Sequence, residues 1–270
     1  MTKMTFCAAA LLSLFLSLTL AAQQPQSSPG NEAQANQQKA KNILDRAVQA
    51  MGGQAYLNID DLKEEGRTGS FYHGQSRGVD TLYFRSWLWP DKERTEFTKQ
   101  RDIAIVYNGD KVYEITFRGT RLLDPVKDEN LRVSLLRKMH SLELILRKWL
   151  QDPGVALFYE GTSLAENHEV DTVTVMNAQN DAVTLQIDTA THLPVKKTFT
   201  VRDPQSRERD QLAEVYDNWK EVQGIKVPYN VTLLKNGELT SQRFINSISF
   251  NTHPAENLFA PITNYDRTKK

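Results

Sequence analysis

The sequence predicts an α+β protein with one large antiparallel sheet, an N-terminal helix and a mid-chain helix. From residue 62 onward, short runs alternate between apolar and polar residues, which is typical of half-buried strands. Tight turns such as Asn108-Gly109 and Asn236-Gly237 join these runs and are too short for parallel crossovers. Two stretches instead repeat apolar residues at helical spacing. The runs amount to about a dozen strands, and one twisted sheet of that size tends to curl.

The N-terminus predicts export. Lys3 precedes an apolar run from Phe6 to Leu20, and the small residues Ala21 and Ala22 follow. A run of about 15 residues is short for a membrane span. Residues 1–22 are therefore predicted to be a cleaved signal peptide and the protein to be periplasmic, with an uncleaved anchor as the alternative. The Gln/Pro/Ser/Asn-rich residues 23–38 are predicted to be a disordered linker, residues 39–262 one domain, and residues 263–270 a tail.

Composition excludes several classes of partner and chemistry. The 33 basic residues balance 33 acidic ones, so neither nucleic acid nor an anionic membrane surface is an expected partner. Cys7 is the only cysteine and lies inside the signal peptide. The exported chain is therefore predicted to have no disulfide, no thiol nucleophile and no cysteine metal ligand.

The two predicted helices differ in how apolar they are. The first carries one apolar stripe and ends at Gly52-Gly53. The second is predicted to begin at the capping residue Asp128 and to be one continuous helix. Its apolar face is wider than one sheet face requires. The stripe consists of Leu131, Leu135, Met139, Leu142, Leu146 and Trp149.

The strand that follows residue 224 has the most regular alternation in the chain. Its apolar face covers either an ordinary core or a ligand cavity shared with the second helix. A curled sheet with a helix over it encloses one or the other. The residues predicted to line such a cavity are Leu135, Met139, Leu142, Leu146 and Trp149 of the helix, and Ile225, Val227, Tyr229, Val231 and Leu233 of the strand.

No motif for catalysis, a cofactor or a metal is present in the sequence. The five histidines include no pair three or four residues apart, and His140 is expected to be a surface or edge residue of the second helix. The Gly-x-Ser-x-Gly elbow of serine hydrolases is absent, as is a phosphate-binding glycine loop. Glu64-Glu65 is expected to be a solvated pair of acids. The protein is therefore predicted not to be an enzyme, and an extracytoplasmic hydrolase is the least favoured reading.

Three segments carry a resemblance to a known family: "YNGDKVYEI", "LQIDTATHLPVK" and "VQGIKVPYNVTL". In order and spacing they resemble the outer-membrane lipoprotein-sorting proteins, the LolA/LolB-like superfamily of periplasmic lipid carriers. The resemblance covers about Lys39 to Pro261. It implies an unclosed antiparallel half-barrel lined by apolar side chains, a helical lid, and acyl chains bound inside, without catalysis or cofactor.

One dipeptide departs from that family. The lipoprotein carrier has an Arg-Pro whose arginine holds the lid shut, and here Trp89-Pro90 stands at the corresponding corner. Trp89 and Pro90 are therefore predicted to contact the lid, with Arg85 or Arg94 as candidates to replace the missing arginine. The predicted function is carriage of a lipid or acylated lipoprotein by a monomer. The alternative is a sensor of the same fold that binds an envelope protein.

Overall fold

The computed structural model describes residues 29–78, 80–203 and 206–262. The predicted signal peptide, residues 23–28 and the predicted tail lie outside these ranges. The helices are α1 (Pro29–Ala50), α2 (Gln54–Leu57), α3 (Glu129–Met139) and α4 (Leu142–Arg147), with 3-10 turns at Trp149–Gln151 and Glu256–Phe259. Within the described ranges no helix combines the length and apolar character that a bilayer span needs.

The strands form a single antiparallel sheet that is not closed into a barrel. Its order is β7-β6-β5-β4-β3-β1-β14-β13-β12-β11-β10-β9-β8, with the short β2 paired to the end of β1. This confirms the half-barrel of about a dozen strands. In the described residues the strands are β1 (Asp61–Tyr72), β2 (Gln75–Ser76), β3 (Thr81–Leu88), β4 (Lys92–Phe97), β5 (Ile103–Asn108), β6 (Lys111–Thr116), β7 (Gly119–Leu122), β8 (Ala156–Ala165), β9 (His168–Met176), β10 (Ala182–Asp188), β11 (Pro194–Arg202), β12 (Arg209–Val222), β13 (Ile225–Lys235) and β14 (Glu238–Phe250).

The main core extends from the β8–β11 end of the half-barrel to β12–β14, β1 and β3. The apolar stripe of α1 packs there against the inward faces of the strands, and Ala40, Leu44 and Ala47 are fully buried. The C-terminal end of α1 meets the β12–β13 hairpin, where the amide of Lys226 donates to the carbonyl of Met51 at 2.9 Å. α1 therefore fills one end of the half-barrel. The region beneath α3 and α4 is lined by side chains of other elements.

The prediction of a disordered linker was wrong for residues 29–38, which form the first part of α1. The Asn36 side chain explains why. Its amide nitrogen donates to the carbonyl of Tyr159 at 2.7 Å, and its oxygen accepts from the Tyr159 amide at 2.8 Å. One side chain thus satisfies both backbone groups of an edge-strand residue, an anchor that composition does not reveal. Residues 23–28 lie outside the described ranges.

The predicted continuous second helix is divided into α3 and α4 at His140-Ser141. Ser141 has extended backbone angles, and its hydroxyl accepts from the Leu144 amide at 3.3 Å, which starts a new helix. His140 is buried rather than superficial, stacked on Phe199 at 4.4 Å. Its Nδ1 donates to the carbonyl of Leu136 at 2.7 Å. Burial lowers the pKa of His140, and the carbonyl bond only partly offsets this.

Candidate functional site

A partly open cavity of about 490 Å³ lies between the sheet and the two mid-chain helices. Strands β1, β3–β5 and β12–β14 form its walls, and α3, α4 and the α1–β1 connection cover it. Small-molecule sites typically measure about 300–1,000 Å³. One end of the cavity is almost entirely apolar. The side chains at that end are Met51, Tyr56, Ile59, Leu62, Trp87, Leu142, Trp219, Ile225, Val227, Ile248 and Phe250.

A bulge in β14 sets which of its side chains face the cavity. Ile245 pairs with Gly66 and Ser247 with Glu65, so Asn246 has no partner on β1. The inward alternation therefore shifts by one residue. Arg243 and Ile245 face the cavity before the bulge, and Ile248 and Phe250 face it afterwards. This one strand thus runs from a charged group in the middle of the cavity to apolar groups at its end.

Gly66 on β1 makes room for a polar group in the cavity wall. Its partner on β3 is Tyr83, whose ring lies where a side chain at position 66 would stand. A Cβ on Gly66 would lie 2.7 Å from the Tyr83 hydroxyl oxygen and 2.3 Å from the carbonyl oxygen of Phe244. The Tyr83 hydroxyl is thereby held to donate to Oε1 of Glu64 at 2.6 Å.

Glu64 is the first of three buried glutamates that form a charged band across the cavity. It is 5% exposed. Its carboxylate pairs with Nη1 of Arg85 at 3.3 Å and with Nε of Arg243 at 3.5 Å. Burial alone would raise the pKa of Glu64, but the attraction of Arg243 and Arg85 and the Tyr83 hydrogen bond hold it below its usual value. Glu64 is therefore ionised at neutral pH.

Glu93 links the sheet to the lid. Its Oε2 accepts from Nε of Arg85 at 2.9 Å and lies 2.5 Å from Nζ of Lys138 on α3. Burial would raise the pKa of Glu93, but the attraction of Arg85 and then of Lys138 outweighs burial and holds the pKa far below its ordinary range. The Lys138 ammonium also lies 4.1 Å from the centre of the Tyr107 ring.

Glu214 provides the matching attachment on the other wall. Lys197 stands directly opposite on β11, with Nζ 3.0 Å from Oε2, and Arg137 of α3 lies 3.5 Å from Oε1. The two terminal nitrogens of Arg137 also donate to the carbonyls of Ala213 and Leu234 at 3.0 and 2.7 Å. The neighbouring residues Arg137 and Lys138 therefore hold α3 to opposite sides of the half-barrel.

The three carboxylates are suited to holding charge rather than to moving protons. Each is ionised and engaged by at least two basic groups, whereas a general base needs a pKa near the working pH. No group of three or more possible metal ligands occurs in the described ranges. The cavity thus has an apolar end and a charged middle.

The predicted site residues fall into four groups. Leu142, Ile225, Val227, Val231 and Leu233 line the 490 Å³ cavity. Leu135, Met139 and Pro90 line a smaller neighbouring cavity of about 130 Å³, which shares Arg85, Glu93 and Lys138 with the large one, and Met139 is 56% exposed. Leu146 and Trp149 are packed in the main core. The Tyr229 ring lies 4.2 Å from the ammonium of Lys220 and is not among the cavity-lining side chains.

The corner residues contact the lid at one point. The Trp89 ring lies 3.9 Å from the guanidinium of Arg147 on α4 and packs edge-on against Trp87 at 5.8 Å. Arg94 bonds Glu96 and the carbonyl of Ile262, not the lid. Of the two arginines considered for the lid, only Arg85 is connected to it, through Glu93 and Lys138.

The charged band is what sequence reasoning missed. Glu64 was expected to be solvated, but it is buried beside Leu62 on the inward face of β1. A signal was available. In β1 and β3 the inward positions carry Leu62, Glu64 and Thr68, and Tyr83, Arg85 and Trp87. A charged residue at an inward position of each of two paired strands indicates an interior ion pair rather than a surface one.

The comparisons with known proteins agree with this architecture. No protein-family model matches the sequence, and no curated protein matches it. Among solved structures, a DUF1329 family protein from Desulfovibrio piger aligns over 82% of this chain and 96% of its own, with a TM-score of 0.57 and 9% identity. A domain assigned to the outer membrane lipoprotein-sorting proteins, from Vibrio parahaemolyticus, aligns over 82% and 97%, with a TM-score of 0.54 and 12% identity.

A LolA superfamily protein from Nitrosomonas europaea aligns over 80% of this chain and 94% of its own, with a TM-score of 0.48 and 14% identity. The chain has a LolA-like fold. At these identities the likeness concerns the fold alone. In this chain the mid-chain helices α3 and α4 lie over the sheet and cover the cavity. The charged band beneath them is a property read from this chain's own residues.

Proposed function

We propose that this LolA-like protein is a non-enzymatic periplasmic carrier that binds the acyl chain of a lipid or lipoprotein in its interior cavity. The observation that carries the proposal is the apolar end of the 490 Å³ cavity. Hydrocarbon surface removed from water contributes roughly 0.8 kcal/mol per methylene. An acyl chain placed there would therefore bind strongly without directional contacts.

The position of the helices supports the same proposal. α3 is held at its two sides by the ion pairs of Arg137 and Lys138, while its half-buried Val133 and Leu136 pack against the main core. Leu131 of α3 belongs to a small separate cluster with Tyr107 and Val112. α3 is thus a covering element that would be released by breaking two ion pairs and a limited apolar contact. Such an element suits a site that must load and release a hydrophobic cargo.

A lipid extract tests the proposal directly. Full-length protein purified from an envelope fraction without detergent is expected to carry lipid, which an organic extract analysed by mass spectrometry would detect. The delipidated protein is expected to rebind a fluorescent fatty acid with a stoichiometry near one. Protein that yields no lipid and binds no fatty acid would contradict the carrier and favour the interaction module of the same fold.

A pair of valine substitutions tests whether the strand β13 lines an open cavity. Val231 and Val173 both belong to the main core cluster, but Val231, 3% exposed, lines the cavity, whereas the fully buried Val173 on β9 does not. Val173→Ala should cost about 2 kcal/mol of unfolding free energy, because a new void is created. Val231→Ala should cost clearly less, because the void already exists, and should weaken fatty-acid binding. Denaturant midpoints and binding titrations of both variants check this. Equal stability losses, with binding unchanged in Val231→Ala, would show that β13 covers a solid core.

A further inference from the structure

The charged band contains more basic than acidic groups. Each of the three glutamates forms ion pairs with two basic side chains. The pairs are Glu64 with Arg85 and Arg243, Glu93 with Arg85 and Lys138, and Glu214 with Arg137 and Lys197. Five basic side chains thus share three carboxylates. Glu143 and Lys226 also line the cavity, and no ion pair is described for either. With both counted, six basic groups face four carboxylates, an excess of two positive charges at a site where charge is costly to leave uncompensated.

Arg243 is where this excess faces the cavity. Its Nε lies 3.5 Å from Glu64, without hydrogen-bond geometry. Within the described ranges its guanidinium makes no hydrogen bond, although the side chain lines the cavity. Glu64 does not depend on it alone, because Tyr83 and Arg85 also bind that carboxylate. Arg243 therefore has donors to offer to something inside the cavity.

The residues around Arg243 are apolar on one side and polar on the other, which suits an amphiphile better than a free anion. Its neighbour on β13 is Val231, and Ile245, Ile248 and Phe250 follow it along β14 toward the apolar end. On the other side stand the hydroxyl groups of Thr68 and Ser241. From Arg243 to Phe250 the strand covers roughly 20 Å at about 3.3 Å per residue, allowing for the bulge. A head group at Arg243 would therefore direct its tail along a continuous apolar wall.

We propose that the cargo is an anionic amphiphile whose carboxylate or phosphate head group binds Arg243 in the middle of the cavity and whose tail fills the apolar end. The inference rests on the proposed lipid carriage and adds the chemical class of the head group. It also accounts for the state of Lys138, whose pKa is lowered because burial and the neighbouring arginines outweigh the attraction of Glu93. A bound anion would restore the missing compensation. Bases that share carboxylates are the arrangement expected of a site completed by its ligand.

The test compares ligands that differ only in the head group. Equilibrium dialysis of delipidated full-length protein against palmitate, hexadecyl phosphate and hexadecanol, below their micelle concentrations, gives three dissociation constants. Palmitate or hexadecyl phosphate is expected to bind about 10-fold or more tightly than hexadecanol, the gain typical of a charge-assisted hydrogen bond. The order of the two anions identifies a carboxylate or a phosphate as the preferred head group.

Variants assign the effect to the guanidinium. Arg243→Met should remove the preference, so that this variant binds the two anions no more tightly than it binds hexadecanol, and Arg243→Lys should keep most of the preference. Arg67→Met, at an exposed position of β1, should change neither, and denaturant midpoints report whether each variant folds. Equal binding of all three ligands would overturn the anionic head group and leave lipid carriage intact. Binding of none would overturn lipid carriage itself.

Discussion

Glu93→Gln should lower the free energy of unfolding by about 3 kcal/mol, near the lower end of what breaking a buried ion pair costs. The neutral amide leaves Arg85 and Lys138 facing each other without the carboxylate that both share. We expect the lower end because the side chains of Arg85 and Lys138 keep 20% and 30% of their exposure, so solvent screens part of the lost attraction. The lid should also loosen, because Lys138 loses its contact with the sheet.

The pH dependence of this loss identifies its cause. The pKa of Glu93 is lowered in the folded state, so its contribution to stability is fully present above the unfolded value of about 4.3 and disappears as the pH falls below it. The stability difference between the wild type and Glu93→Gln should therefore be constant near neutral pH and shrink below about pH 4.

Urea unfolding of both proteins between pH 7 and pH 3.5 measures these differences. Glu114→Gln is the matched control, because Glu114 also lies on a strand and pairs with an arginine, but Arg121 is 70% exposed. Its loss should be within about 1 kcal/mol, as for other surface pairs. A Glu93→Gln variant as stable as Glu114→Gln would mean that the band contributes nothing to holding the lid.

Gly66→Ala should destabilise the protein by about 3 kcal/mol or more, the upper part of the range for overpacking a buried site. The new methyl would lie 2.3 Å from the carbonyl oxygen of Phe244, so the backbones of β1 and β14 must separate where they pair. It would also displace the Tyr83 hydroxyl, 2.7 Å away, from Glu64.

Gly69→Ala on the same strand is the control for this substitution. There the methyl would meet first a carboxylate oxygen of Asp80 at 2.8 Å, the far end of an exposed side chain that can move. Thermal or urea unfolding of the two variants should differ by about 2 kcal/mol or more. Equal stabilities would show that the wall at Gly66 adjusts easily, and Tyr83 would then not be held in place by the glycine.

The sheet could be predicted from the sequence because its strands and turns are marked by residues close together in the chain. Asn236-Gly237 takes positive φ at both positions, the requirement of the tightest hairpins, and apolar alternation identifies the strands on either side. The interior was less predictable. A search for alternating apolar residues does not identify Glu64 and Arg85 as inward-facing, because both are charged. Their inward positions can be recognised only when β1 is paired with β3.

The two wrong predictions about helices, the start of α1 and the continuity of the second helix, have a similar origin. Each outcome depends on one polar side chain. Asn36 extends α1 through a contact 123 residues away, and Ser141 divides the lid helix although the apolar stripe continues past it. Helical periodicity records which face is buried but not where the backbone breaks. The bulge at Asn246 is a comparable case, because an unpaired residue leaves no mark in the composition.

The pairing of β1 with β14 determines when the interior can form during folding. These two strands are far apart in the chain, yet they lie side by side in the middle of the sheet order. Contacts between such distant segments form slowly, because a long loop must close first. Glu64 and Thr68 stand on one side of this seam, and Arg243 and Ile248 on the other. The charged band and the apolar end are therefore completed only when the last strand is in place, so a chain shortened before β14 would leave both parts of the cavity incomplete.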